Sequence, residues 1–311
     1  MVKGKRIGVD LGGTTAKIGV VNENNEIVER IILPMDHKPP FEEAIKAIAE
    51  AILQLGDIAS VGFGVPSTLI PGSDIIIHAN NLGWKNADIR GELKKYLKDI
   101  PVYIANDADC AAVGEMMHGA AMGVGNTLML TLGTGVGGSF IYQNKLFLGG
   151  NGFGFEPGHI SIERNGISCT CGNRGCLECY ASATALARAA VECKESALLA
   201  RLIDENHGKA NAKMVFGAAA AGDHAANRIL DDYINALAVG VANLITLFGP
   251  DLVVIGGGVS GAGERLFAPL RELAYGMVDG IDVMGRPPIV PAQLGNDAGI
   301  IGAAMLDYAL N

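Results

Sequence analysis

Three short apolar runs bounded by turn residues open the chain: Arg6 to Leu11, Ala16 to Asn22 and Ile27 to Leu33. Runs of this length predict strands, with glycines after Leu11 and the Asn22-Glu23-Asn24-Asn25 turn between them. From Pro39 the period lengthens. Phe41, Ala44, Ile45, Ile48, Ile52 and Leu53 recur every three or four residues, which predicts a helix with one apolar face. An apolar strand from Ser60 to Val65 follows, then a loop rich in Pro, Gly, Asn and His up to Trp84. A further helix and strand end in Val102-Tyr103-Ile104-Ala105-Asn106-Asp107, so the order is βββαβαβ.

The order then restarts. Strands are expected at Thr127 to Leu132, Val136 to Tyr142 and Lys145 to Leu148, and Ile7 aligns on Leu128 at an offset of 121 residues. Each half has a strand, a glycine turn, a returning strand, an Asn-containing turn and a third strand, which is the pattern of an internal duplication. After a cysteine-rich stretch the chain turns helical. Helices are expected at Ala181 to Cys193 and Asn227 to Phe248, the latter buried between layers because little charge follows Asp232. A strand at Asp251 to Ile255 runs into Gly256-Gly257-Gly258, and a strand at Ile289 to Leu294 precedes a closing helix, Ala298 to Leu310. The expected architecture is α/β and two-lobed, with lobes at 1–117 and 118–297 and a cleft between them. The closing segment 298–311 is expected to pack back on the first lobe.

Composition narrows the function. At 311 residues the chain exceeds one average domain, and a hydrophobic fraction of 49% is ample for a core. A net charge of -9 argues against nucleic acid or an anionic membrane as the main partner. The basic start lacks the apolar stretch of a signal peptide, and no run of about 18 apolar residues occurs. Of six cysteines, those at 169, 171, 176 and 179 fall within 11 residues, a metal-cluster spacing and not a dispersed disulfide framework. A cytoplasmic protein is expected.

The glycine turns carry the first chemistry. Asp10-Leu11-Gly12-Gly13-Thr14-Thr15 ends a buried strand in a tight turn whose N–H groups can meet a phosphate, with Asp10 placed to hold magnesium through water. Gly133-Thr134-Gly135 repeats the device, and neither turn has Walker or Rossmann spacing. Gly256-Gly257-Gly258 suits either passage beneath an adenine or ribose or plain strand-to-helix packing. Asp107, where a strand ends and a helix begins, suits either a catalytic base or a helix N-cap.

Together with Glu156-Pro157-Gly158-His159 and Cys169-Thr170-Cys171-Gly172-Asn173-Arg174-Gly175-Cys176-Leu177-Glu178, these features resemble the ROK group of repressors, open reading frames and kinases. That group lies within the superfamily of sugar kinases, actin and the heat-shock ATPase chaperones, and the resemblance runs from Asp10 to Leu294-Gly295-Asn296-Asp297-Ala298-Gly299. It implies the actin-like ATPase fold and transfer of phosphate from ATP, as its magnesium complex, to the 6-hydroxyl of a hexose. Glucose is the expected acceptor, with N-acetylhexosamines, fructose or allose as alternatives. It implies Asp107 as base, and Asn81, Asn106, Asp107, Glu156, His159 and Glu178 around the sugar. Asp10, Gly12, Gly13, Thr14, Thr15, Lys17, Gly133, Thr134, Gly135, Gly256, Gly257 and Gly258 fall to the nucleotide. His159, Cys169, Cys171 and Cys176 supply the N/S shell that a structural zinc prefers, with Cys110, Cys179 and Cys193 as bystanders. A homodimer or higher homo-oligomer is the habit of the family. The repressor branch is not expected, because only nine residues precede Asp10 and the chain is acidic. Ser67 stands after Gly64-Val65-Pro66 where the family usually has glycine, and Trp84 suits packing or sugar stacking equally.

Overall fold

The computed structural model describes residues 4–66, 68–70, 73, 75–79, 82–150, 152 and 154–310. Strands β1 (Lys5–Leu11), β2 (Thr15–Val21) and β3 (Ile27–Pro34) lead into helix α1 (Phe41–Leu53) and strand β4 (Ile58–Val65). Three short strands follow, β5 (Thr68–Leu69), β6 (Ile75–Ala79) and β7 (Trp84–Asp88), then α2 (Ile89–Leu97), β8 (Val102–Asn106) and α3 (Asp107–His118). The second copy begins with β9 (Thr127–Leu132), β10 (Val136–Tyr142) and β11 (Lys145–Leu146). Helices α4 (Glu178–Ala181), α5 (Ala183–Glu192), α6 (Ala197–Glu205), α7 (Ala212–Ala220) and α8 (His224–Phe248) come next. The chain ends with β12 (Leu252–Gly256), α9 (Glu264–Gly276), α10 (Ile281–Met284), β13 (Ile289–Pro291), α11 (Ala298–Ala304) and α12 (Leu306–Leu310).

The duplication is visible in the sheets. One has the order β3-β2-β1-β4-β8 and the other β11-β10-β9-β12-β13, the same third-second-first-fourth-fifth arrangement. The loop expected before Trp84 is instead a small antiparallel sheet, β5-β6-β7, and the closing helix breaks into α11 and α12 at Met305. Trp84 is a packing residue: it is buried, its Nε1–H donates to the Pro39 carbonyl at 3.1 Å, and its ring meets Phe41 edge-on.

Two compact units emerge: 1–127 with 139–155 and 293–311, and 128–138 with 156–292. In the first, the apolar stripe of α1, with Ala44, Ile45, Ile48 and Ile52 fully buried, joins Ile7, Val9, Phe63 and Ile104 from the sheet in one core. Helix α11 lies against α3, β1 and β4. It approaches so closely that a Cβ on Gly62 would stand 1.7 Å from the Ala303 carbonyl oxygen, so side chains are excluded there. In the second unit α8 packs against α4, α5, α7 and α9. Its 25 residues are apolar enough to cross a bilayer by length and composition, but 56% of the most apolar window is buried in the protein, as expected of a core helix.

Candidate active site

In the first unit β1, β4 and β8 run parallel, with Asp10 paired to Gly64 and Val65 to Asn106. Their carboxyl ends therefore bring Asp10, the turn Gly12 to Thr15, Asn106 and Asp107 to one sheet edge, the place where α/β sheets bind ligands. The turn closes through Gly12 N–H to Thr15 O at 2.8 Å and is tied to the next strand by Met35 N–H to Thr14 O at 2.7 Å. Lys17 faces Asp10 across the β1–β2 ladder and its Nζ lies 2.9 Å from Asp10 Oδ2. Asn106, not Asp107, is the N-cap residue of α3: its Oδ1 accepts the Ala108 N–H at 2.8 Å. Asp107 is the first helical residue, exposed, and its Oδ1 accepts the same N–H at 3.0 Å. A carboxylate at a helix N-terminus sits at the positive end of the aligned peptide dipoles. Asn81 and Ser67 lie outside the described residues.

In the second unit four donors converge. His159, Cys169, Cys171 and Cys176 present ligand atoms all within 4.8 Å of one another. Cys171 Sγ and Cys176 Sγ are 3.7 Å apart, and Cys169 Sγ is 3.8 Å from His159 Nδ1. Backbone pairing builds this loop before any metal is invoked. Isolated bridges join Ser161 to Cys176 and Ser168 to Arg174, while Leu177 N–H reaches Ile160 O at 2.9 Å and Cys169 N–H reaches Asn173 O at 2.8 Å. Burial works against a charged Cys169, but hydrogen bonds from the Cys171 backbone and from the Cys171, Cys176 and His159 side chains outweigh it and bring the thiol down to about 6. A thiolate is the form that binds metal. Cys179 stays outside the four-atom group, with its sulfur 3.9 Å from Ser168 O.

The same loop delivers the acids. Glu156 enters through Phe155, whose φ of 73° is uncommon for an aromatic residue, and opens the 3-10 turn Pro157–His159. Glu156 is exposed by area, yet the atoms crowding its carboxyl desolvate it and raise its pKa, with His159 lowering and Glu178 raising it further. Glu178, the first residue of α4, accepts the Val136 N–H on Oε2 at 3.0 Å. A Cβ on Gly135 would stand 2.1 Å from that oxygen, and one on Gly158 would stand 2.0 Å from Val136 O. Glu178 and the Glu156-to-His159 turn therefore both seat against the start of β10, directly after Gly133-Thr134-Gly135.

The third glycine run joins them. Gly257 has φ 81°, and a Cβ there would collide with the Leu132 backbone at 2.4 Å, so the end of β12 lies on the end of β9. Packing accounts for Gly257, whereas Gly258 faces open space within 4 Å. One contact escapes sequence reasoning: Ala183 N–H and the Thr184 hydroxyl donate to Gly133 O at 2.8 Å and Thr134 O at 2.6 Å. Ser182 signals a helix start, but nothing local tells what that helix faces.

The ROK family profile matches residues 6–309. The chain is 41% identical to a glucokinase of Thermotoga maritima, covering 98% of both proteins. It is 38% identical to a glucokinase of Halalkalibacterium halodurans over 96% of the chain and 94% of the relative. Among solved structures, a ROK family glucokinase from Streptomyces griseus in complex with glucose and AMPPNP superposes with a TM-score of 0.81 at 33% identity, covering 97% of this chain and 99% of that one. With motif, fold and full-length likeness in agreement, the chain belongs to the ROK family.

Proposed function

We propose that the chain transfers the γ-phosphoryl group of ATP to the 6-hydroxyl of glucose. The observation that carries the reading is the likeness to glucokinases along essentially the whole chain, at 41% identity over 98% of it. In the proposed reaction Asp107 takes the proton of the sugar 6-hydroxyl as that oxygen forms its bond to the γ-phosphorus. The bond from that phosphorus to the bridging oxygen of ADP breaks, and Asp107 afterwards returns the proton to water. The magnesium of the nucleotide falls to Asp10, and the N–H groups of the two glycine turns meet the phosphates. Glu156, His159, Glu178, Asn81 and Asn106 hold the sugar hydroxyls, where each buried partner left unpaired would be costly.

Zinc fits the cysteine cluster as a structural ion. A tetrahedral shell with zinc–sulfur bonds of about 2.3 Å has sulfur–sulfur separations of about 3.7 Å, and the Cys171–Cys176 sulfur distance of 3.7 Å supports that choice. Four protein donors leave no open position, so the ion would brace Glu156, His159 and Glu178 without joining the chemistry. His159 would turn Nδ1 to the metal and leave Nε2 for the sugar. Thiols kept reduced for a metal suit a cytoplasmic location.

The test is Asp107→Asn. Glucose binding, measured by calorimetry, should persist while turnover falls by about two to four orders of magnitude, the range of general-base loss. Turnover within tenfold of the parent would remove Asp107 from the role of base.

A further inference from the structure

We infer that Thr184 is a positioning residue for nucleotide binding, because α4 and α5 form a bracket that sets the peptide planes of the second phosphate turn. The inference deepens the kinase reading and rests on it. The bracket touches three neighbouring residues of the turn. Ala183 N–H takes Gly133 O at 2.8 Å, the Thr184 hydroxyl takes Thr134 O at 2.6 Å, and Glu178 Oε2 takes Val136 N–H at 3.0 Å.

The physical consequence follows from the trans peptide. The carbonyl of one residue and the N–H of the next share a plane and point in opposite directions. Holding Gly133 O toward α5 therefore turns Thr134 N–H away from α5, and holding Thr134 O turns Gly135 N–H away as well. A turn that is to meet phosphate must do both, since a carbonyl facing phosphate oxygens repels them. The remaining donor, Gly133 N–H, is spent inside the turn on Gly135 O at 3.0 Å.

The bracket is rigid at its base. Ser182 is buried, and its side chain accepts the Ala185 N–H at 3.0 Å, which fixes the first turn of α5. Arg188 anchors the other side by donating to Cys179 O at 2.6 Å. Thr184 itself is exposed, so its hydroxyl serves no core and its removal leaves the fold alone.

Three proteins decide the matter: the parent, Thr184→Val, which keeps the shape without the donor, and Thr184→Ser, which keeps the donor. MgADP affinity is read by calorimetry, and KM for MgATP and for glucose by steady-state kinetics. Thr184→Val should weaken MgADP and raise KM for MgATP about fivefold, the weight of one hydrogen bond of about 1 kcal/mol. KM for glucose should stay at the parent value, and Thr184→Ser should recover the parent's nucleotide affinity. Unchanged MgADP affinity in Thr184→Val, an equal loss in Thr184→Ser, or an equal rise in KM for glucose would overturn the inference. A parent that binds MgADP but phosphorylates no hexose would instead sink the kinase reading, and the calorimetric arm would still judge the bracket.

Discussion

Replacing Glu115 by alanine should destabilise the first unit more than any surface change. Glu115 is fully buried in α3, and its carboxylate accepts four hydrogen bonds from three backbone N–H groups. Oε2 takes Ala120 N–H at 2.7 Å, both oxygens share Gln293 N–H at 3.0 and 3.1 Å, and Oε1 takes Leu294 N–H at 2.8 Å. Alanine leaves all three donors without their acceptor. At about 1–3 kcal/mol for each stranded group, the loss lies between about 3 and 9 kcal/mol. Gln293 is exposed and water can enter the vacated space, which keeps the loss near the lower bound, about 3–5 kcal/mol. Glutamine in place of Glu115 keeps one acceptor but sets an NH2 group against a donor, so about 2 kcal/mol should go. The only tryptophan, Trp84, is buried in this same unit, so urea unfolding followed by its fluorescence reads the right transition. A loss below about 1 kcal/mol for Glu115→Ala would mean that the carboxylate is not holding the returning chain.

Two further outcomes are expected. Chelation should strip one metal per chain from the His159, Cys169, Cys171 and Cys176 cluster and lower both glucose and MgADP affinity, because the loop runs directly into Glu178 and α5; mass spectrometry of the intact protein counts the ion, and unchanged binding by the stripped protein would uncouple loop from site. Asp223 caps α8 by accepting Ala226 N–H at 2.8 Å, and its pKa is lowered by the Ser196 hydroxyl first and that N–H second. Its stabilisation is therefore present above the unfolded value and lost as pH falls through the lower folded value, so Asp223→Ala should cost about 1 kcal/mol at pH 7 and progressively less as the pH falls below the unfolded value; a pH-independent difference would exclude this linkage.

Much of this fold was legible because its strands carry their own boundaries. The three strands opening each half are separated by glycine or asparagine turns, and the observed ends differ from expectation by a few residues at most. The small sheet before α2 was not legible. Strand β5 has two residues, β6 is three isoleucines followed by His78 and Ala79, and β7 is mostly polar, so no period distinguishes them from a loop. The break at Met305 has no glycine or proline at that position to announce it. In the site, the cysteines were legible by spacing, whereas Asn106 as the cap of α3 required knowing which carbonyl side chain reaches Ala108 N–H. The Thr184 contact spans 50 residues and obeys no local pattern at all.

The two glycine turns, alike in strand order, are held by different forces, and the difference matches the chemistry asked of them. At the offset of 121 residues, Asp10 of the first copy corresponds to Thr131 of the second. The first turn thus carries the carboxylate, paired with Lys17 and packed so closely by α11 that a Cβ on Gly299 would meet its Cγ at 3.1 Å. The second turn is neutral and takes its geometry from hydrogen bonds to α4 and α5. Under the proposed kinase reading the Asp10 carboxylate would serve the magnesium, and a second carboxylate in place of Thr131 would add like charge beside phosphate. The neutral copy is therefore free to be set by carbonyl contacts. Its bracket begins at Glu178, so a sugar hydroxyl that draws on that carboxylate competes with, or tightens, the hydrogen bond to Val136 N–H. If Glu178 holds the sugar as proposed, sugar and phosphate turn share one side chain, and Glu178→Gln should change glucose and MgADP affinity together.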